Sequence, residues 1–177
     1  MLHTNPHLAI IGDRQALGWV LQEQRLAFPE PRYHHIFPAL RAGDQLYLYT
    51  TRGCYRNPGR DRGLVIGTAT VTGNLERPLG PRVVRGRELP IEVPVHIEAL
   101  APLGDGVNVA DTVEKMTSFP KPESWSVYLR RSLYSLTEHD AALLDRKLRK
   151  YIGHHDENLD AYLERARPVI YAGEVRS

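Results

Sequence analysis

The sequence predicts an α+β fold, a small mixed β-barrel with flanking helices, and three observations lead there. Alternating or β-branched apolar runs at 7–11, 45–51, 64–72 and 91–98 read as strands. The last three are joined by loops without helices between them, which excludes a doubly wound parallel sheet. Capped amphipathic helices flank these strands instead of alternating with them, so they cover the sheet from outside.

Taken in order, the first strand, His7 to Ile11, ends at Gly12-Asp13. Asp13 caps a helix expected over Arg14 to Phe28, with Leu17, Leu21 and Phe28 on one face and Pro29 and Pro31 ending it. Arg32 to Arg41 reads as a connecting segment, and Ala42-Gly43-Asp44 turns the chain into the strand Gln45 to Thr51. On that strand Tyr47 and Tyr49 share one face and the leucines take the other. After the strand Leu64 to Thr72, the Gly-, Pro- and Arg-rich segment Gly73 to Glu88 reads as an exposed loop or long hairpin. Pro94 inside the next alternating run, Ile91 to Glu98, points to an edge or a bulge.

Asn108-Val-Ala-Asp111 starts a helix to about Thr117 through a reciprocal cap, and Trp125 to Leu133 fits a helix or a short strand. Thr137-Glu-His-Asp140 repeats the capping pattern and opens a helix to Tyr151, with Leu143, Leu144, Leu148 and Ile152 inward and Gly153 as its stop. Asp156 to Arg167 reads as another helix and Pro168 to Val175 as a closing strand.

The 177 residues fit one domain, long enough to bury roughly 70% of the unfolded surface. No run approaches the ~20 apolar residues of a membrane span, and no secretory leader pattern opens the chain, so a cytoplasmic home is expected. Cys54 is the only cysteine, which excludes an internal disulfide and a multi-cysteine zinc site. The net charge of +2 conceals a bias: eight arginines and two acids lie between Arg52 and Arg87, and no lysine precedes Lys115. Arginine makes planar, bidentate contacts to phosphate and stacks on bases, so this cluster reads as a phosphate-facing surface. Its alternative is a solvated loop whose arginines pair with carboxylates elsewhere.

The strand Gly43-Asp44…Tyr49-Thr50-Thr51, the loop carrying Cys54 and Pro58, and Gly63-Leu-Val-Ile-Gly-Thr-Ala-Thr-Val71 resemble the PUA-like superfamily, and within it the EVE domain, a relative of YTH and ASCH domains. Pro90-Ile-Glu-Val-Pro fits the following barrel strand, and Trp125…Arg130-Arg-Ser-Leu…Leu136-Thr-Glu-His-Asp140 the closing segment. The resemblance covers residues from about 5 to 150 and implies a single PUA-like domain over 1–177, with 151–177 adding a helix and a closing strand. Where such domains carry an aromatic and asparagine-rich motif, this chain has Gly12-Asp-Arg-Gln-Ala-Leu-Gly-Trp19. The resemblance implies a non-catalytic module that seats one flipped, modified base at the barrel's edge, on DNA by preference or on RNA, with no metal and no cofactor.

The base-pocket candidates are Trp19, Tyr49, Thr50, Thr51, Arg52, Gly53, Cys54, Tyr55 and Trp125. Thr50, Thr51 and Arg52 open from a strand end and either read a base edge or make ordinary strand-end hydrogen bonds. Tyr55 stacks on a base or covers the barrel mouth; Trp125 walls a cage or anchors the core; Trp19, on a helix with apolar neighbours, reads first as core. Arg56, Arg60, Arg62, Arg82, Arg85 and Arg87 are the phosphate candidates. Cys54 reads as a passive thiol, since no base is placed beside it by spacing. The His34-His35 and His154-His155 doublets lack a third ligand at metal spacing and read as surface residues. Two rivals stand beside this reading. One is an ASCH-like hydrolase of modified nucleosides, expected to use a lysine, a threonine and a glutamate and disfavoured by the lack of early lysines. The other is a module whose arginine loops bind an acidic protein.

Overall fold

The computed structural model describes residues 3–30, 40–152 and 155–166. Its strands are β1 (Pro6–Ile11), β2 (Arg25–Phe28), β3 (Gln45–Thr50), β4 (Leu64–Val71), β5 (Arg82–Val84), β6 (Arg87–Leu89), β7 (Ile91–Leu100), β8 (Val107–Asn108) and β9 (Leu133–Ser135). Its helices are α1 (Arg14–Glu23), α2 (Trp125–Tyr128), α3 (Glu138–Leu148) and α4 (His155–Ala166). The main sheet runs β2-β7-β4-β3-β1-β9, with β8 added on β4. Only β1 and β3 are parallel neighbours; the other pairs are antiparallel. The sheet curls into a half-barrel, as the α+β, PUA-like expectation required.

Each face of β3 feeds a different core. Leu46 and Leu48 join Ile66, Val93, Leu17 and Tyr162 in the cluster under α1 and α4. Tyr47 and Tyr49 point the other way, into the cluster beneath α3 with Leu8, Val65 and Leu144, which is the alternation read from the sequence. The Tyr47 hydroxyl lies 2.8 Å from Asp145 Oδ1 and 3.1 Å from the Ala141 carbonyl, fastening α3 to the sheet. Gly67 is required where β4 crosses β7, because a Cβ there would collide with the Ala99 carbonyl oxygen.

Several elements differ from the sequence reading. The helix expected to reach Phe28 stops at Glu23, because Gln24 turns left-handed with φ of 50°. Leu26 and Phe28 then alternate inward in β2, held by pairing with β7. The helix expected at Asn108–Thr117 is a single 3-10 turn over Val113–Lys115 whose N-cap, Thr112, makes no side-chain cap bond; Asn108 instead accepts from Ala110 N at 3.0 Å in a local turn ahead of it. Trp125–Leu133 divides into the short α2 and the start of β9. Pro94 marks where β7 stops pairing with β2 and starts pairing with β4, so its missing N–H costs no ladder bond to β4. The segment Gly73 to Glu88 contains a hairpin, β5–β6, whose two-residue loop Arg85-Gly86 has positive φ at both positions. The segment 32–39, the histidines at 34, 35 and 154, Gly153 and the expected strand over 168–175 lie outside the described residues.

Two buried carboxylates hold the elements in register. Asp140 was read as a reciprocal cap, and half of that holds: Thr137 Oγ1 accepts from Asp140 N at 3.2 Å. Its carboxylate instead accepts from Thr117 N and Ser118 N, each at 2.7 Å, so it pins the 113–119 segment to α3. Asp44 accepts from Asn5 N at 3.0 Å and Arg41 N at 2.9 Å, and sits 3.5 Å from Nε2 of buried His7. Burial lowers the His7 pKa from its ordinary 6.5, outweighing the attraction of Asp44.

Replacing Asp140 with Ala leaves two part-buried N–H donors without their acceptor and is expected to cost about 2 kcal/mol, measured by urea denaturation. For His7 the folded state binds fewer protons than the unfolded chain just below pH 6.5. Its contribution is therefore complete above 6.5 and declines as the pH falls from there toward the lowered folded value. The urea midpoint should fall on acidification from about pH 7 to about pH 5, and His7→Gln should flatten that fall.

Candidate functional site

The half-barrel does not close. Among the described residues β2 pairs only with β7 and β9 only with β1, so β2 and β9 are the edges of the sheet and no ladder joins β2 to β1 or β9. A cleft of about 450 Å³ occupies this seam. Ala9 and Ile11 of β1 form one side, Leu26, Ala27 and Phe28 of β2 the other, and Ala16 and Val20 of α1 lie between them. The β5–β6 hairpin adds Val84, Arg85, Arg87 and Leu89. Among the described residues the charged groups in this lining are Asp13, Arg85 and Arg87.

Asp13 organises the mouth. Its Oδ1 accepts from Gln15 N at 2.8 Å and caps α1. Its Oδ2 accepts from the Arg85 guanidinium at 3.3 Å and lies 3.9 Å from that of Arg56. Arg56 belongs to the 51–63 loop and Arg85 to the hairpin, so the two arginine-rich segments converge on one carboxylate.

A second, more polar cavity of about 530 Å³ lies at the far end of β3 and β4. Thr50, Leu64 and Ile66 line it from the sheet, Tyr55 and Arg60 to Arg62 from the loop, and Lys147, Lys150 and Tyr151 from the end of α3. Its remaining wall is the 104–112 turn with Asp105, Asn108, Asp111 and Thr112. Gly106, at φ of 146°, lets that turn lie against β4, since a Cβ there would sit 2.5 Å from the Val65 carbonyl oxygen.

The residues named from sequence therefore part company. Thr50, Tyr55, Arg60 and Arg62 meet in the polar cavity; Arg85 and Arg87 line the seam, with Arg56 beside it. Thr51 joins the ends of β1 and β3, donating its N–H to the Ile11 carbonyl at 3.1 Å. Arg52 is exposed and donates to the Pro58 carbonyl at 2.9 Å, and Gly53 is exposed beside it. Four expectations need correction. Trp19 is 3% exposed in the core, with the Arg82 guanidinium over its ring at 4.9 Å, so it offers no face to a base. Arg82 itself lies over that ring and 3.9 Å from Glu92, which directs it into the structure and away from a polymer. Tyr49 is 3% exposed beneath α3, its hydroxyl pushed up to about 12 by burial. Trp125 packs half-buried against the α3 cluster and lines neither concavity.

Sequence reasoning missed Asp13 as a site residue, as well as β2, Lys147 and Lys150. Asp13 was visible as a helix cap, but its second oxygen acquires a role only through a hairpin 72 residues away. Among the described residues no group of three His, Cys, Asp or Glu side chains is placed to hold a metal.

No protein-family model matches the chain, and no curated protein sequence does. Its structure is similar to that of a hypothetical protein from Leishmania major, with TM-score 0.52 and 12% identity over 84% of this chain and 96% of that one. It is similar to protein PSPTO5229 from Pseudomonas syringae, with TM-score 0.52 and 12% identity over 81% and 99%. It is similar also to the human THYN1 protein, whose structure is in complex with 5-methylcytosine-containing DNA, with TM-score 0.51 and 12% identity over 81% and 98%. Identities this low show the fold alone, the PUA-like α+β architecture that the motifs implied.

Cys54 is fully buried, and burial pushes its thiol up to about 12, with Asp13 and Asp61 adding to the effect. A thiolate nucleophile needs the opposite shift. Native protein at about pH 8 should resist iodoacetamide, and labelling should appear only at denaturant concentrations that unfold it.

Proposed function

We propose that this chain is a non-catalytic nucleic-acid-binding module that seats one flipped, modified base in the β1–β2 seam. The observation that carries the reading is the character of that cleft: apolar walls, three charged residues, and both arginine-rich segments at its mouth. A base has two apolar faces and a polar edge, so it suits a site that is mostly apolar with few, convergent polar groups. The cavity at the far end of β3 carries four cations and three carboxylates and suits a base less well.

Within the seam, Asp13 Oδ2 is the acceptor for an exocyclic amino group, the donor that cytosine and adenine present. An added methyl is accommodated by Ala27, Val20 and Leu26. The unladdered edge of β2 supplies backbone donors and acceptors to the remaining base edge. Leaving the stack costs a base a few kcal/mol, which apolar burial and these hydrogen bonds offset. Arg56, Arg85 and Arg87 engage the flanking phosphates, and Thr51, Arg52 and Gly53 form the neighbouring rim. The fold likeness to THYN1, solved with methylated DNA, supports the same reading.

Fluorescence anisotropy with short DNA and RNA carrying modified and plain bases tests it. Replacing Arg85 and Arg87 together with Ala should weaken binding and reduce the log–log salt slope by about 2. Asp13→Asn keeps a competent helix cap but removes the carboxylate, so preference among bases should fall while non-specific binding persists. Ala27→Phe fills the seam and should abolish base preference. Unchanged slope and unchanged preference across all three variants would overturn the assignment.

A further inference from the structure

The polar cavity at the end of β3 and β4 is not used by the base-seating reading, and its chemistry points to a ligand of its own. We infer that it is a second site, for a free nucleoside monophosphate. The cavity brings charges of both signs together and leaves most of them without an ion pair among the described residues. Arg60 Nε meets Asp61 Oδ1 at 3.0 Å, whereas Arg62, Lys147, Lys150, Asp105 and Asp111 make no ion pair with any described residue. Asp61 Oδ2 is shut from solvent and has no hydrogen-bond partner among the described residues. A buried carboxylate oxygen without a donor is costly, and a ligand amino group relieves that cost.

The arrangement sorts by ligand part. Lys147 and Lys150, together with Arg62, form the cationic side and suit a terminal phosphate. Asp61 provides the acceptor for the exocyclic amino group of a base. Tyr55, half-buried with the Arg165 guanidinium 6.0 Å from its ring, and Tyr151, 38% exposed, give the base aromatic surface. Thr50 and Asn108 line the space between. A continuous strand fits poorly, because Asp105 and Asp111 at the rim repel a polyanion.

Isothermal titration of the intact chain with AMP, CMP, UMP and inorganic phosphate, at about 0.15 M salt, tests the site. The expected result is one nucleotide per chain, AMP and CMP binding more tightly than UMP, and inorganic phosphate weakest. Lys147→Ala with Lys150→Ala should weaken AMP by about tenfold or more and leave oligonucleotide binding unchanged. Asp61→Asn should remove the preference of AMP over UMP. No binding at millimolar nucleotide overturns the inference, as does inorganic phosphate binding as tightly as AMP. A loss caused by Arg85→Ala with Arg87→Ala, but not by the lysine variants, also overturns it, because the nucleotide would then occupy the seam. Oligonucleotide binding that fails in every protein, with AMP still bound through the lysines, would remove the seam reading and keep this one.

Discussion

Asp13 uses its two oxygens for two different tasks, and the seam depends on their being joined in one side chain. Oδ1 caps α1 and fixes where the helix leaves β1; Oδ2 holds the Arg85 guanidinium and faces Arg56. The cap sets the direction of α1, and Ala16 and Val20 on that helix stand between β1 and β2. Among the described residues the two edges of the curled sheet do not meet, and a cleft with apolar walls lies beside α1. The same carboxylate draws the arginine loops to the mouth of that gap. A helix cap and a positive rim thus meet at one acidic residue at the end of β1.

The two concavities differ in the way they treat charge. In the seam, three charged groups lie at the rim of an apolar interior and two of them contact each other. In the cavity beside α3, seven charged residues line the wall, and among the described residues only Arg60 and Asp61 pair. A long polyanion gains more from the first arrangement, where three arginines stand against one acid, than from the second, where three carboxylates offset most of four cations. Hairpin β5–β6 makes this division possible, since its tight Arg85-Gly86 turn projects cations across the seam without extending toward α3.

The sequence revealed what local chemistry decides. Strands β3 and β4 were legible to within one residue because alternation and the Gly43-Asp44 turn need no distant partner. The start of α3 was legible because Thr137 caps it with its own hydroxyl. Strand β2 was hidden, since Leu26 and Phe28 satisfy a helical stripe as well as a pleat, and only pairing with β7 some 67 residues later decides between them. The arginine cluster was legible as a cluster but not as a geometry: Arg85 reached the seam, Arg60 and Arg62 the other cavity, and Arg82 a tryptophan ring. Which way a loop folds is set by contacts across the fold, and no local pattern encodes them.

The hydrolase rival was set aside from sequence because no lysine precedes Lys115, and the structure removes that reason. Lys147 and Lys150 reach the polar cavity from the end of α3, together with Thr50, Thr112 and Asp61. A lysine, a threonine and an acid therefore do share one concavity. Sharing is not activation, however. A nucleophilic hydroxyl needs a base within hydrogen-bond reach, and the base needs a group to orient it. Here the Thr50 hydroxyl donates to the Leu64 carbonyl at 3.4 Å and that of Thr112 to the Asn108 carbonyl at 2.8 Å, so both protons are directed at backbone oxygens. Neither lysine makes a side-chain hydrogen bond to either threonine or to Asp61 among the described residues. Among the described residues neither threonine hydroxyl is paired with a base, which is the arrangement the proposed binding role calls for.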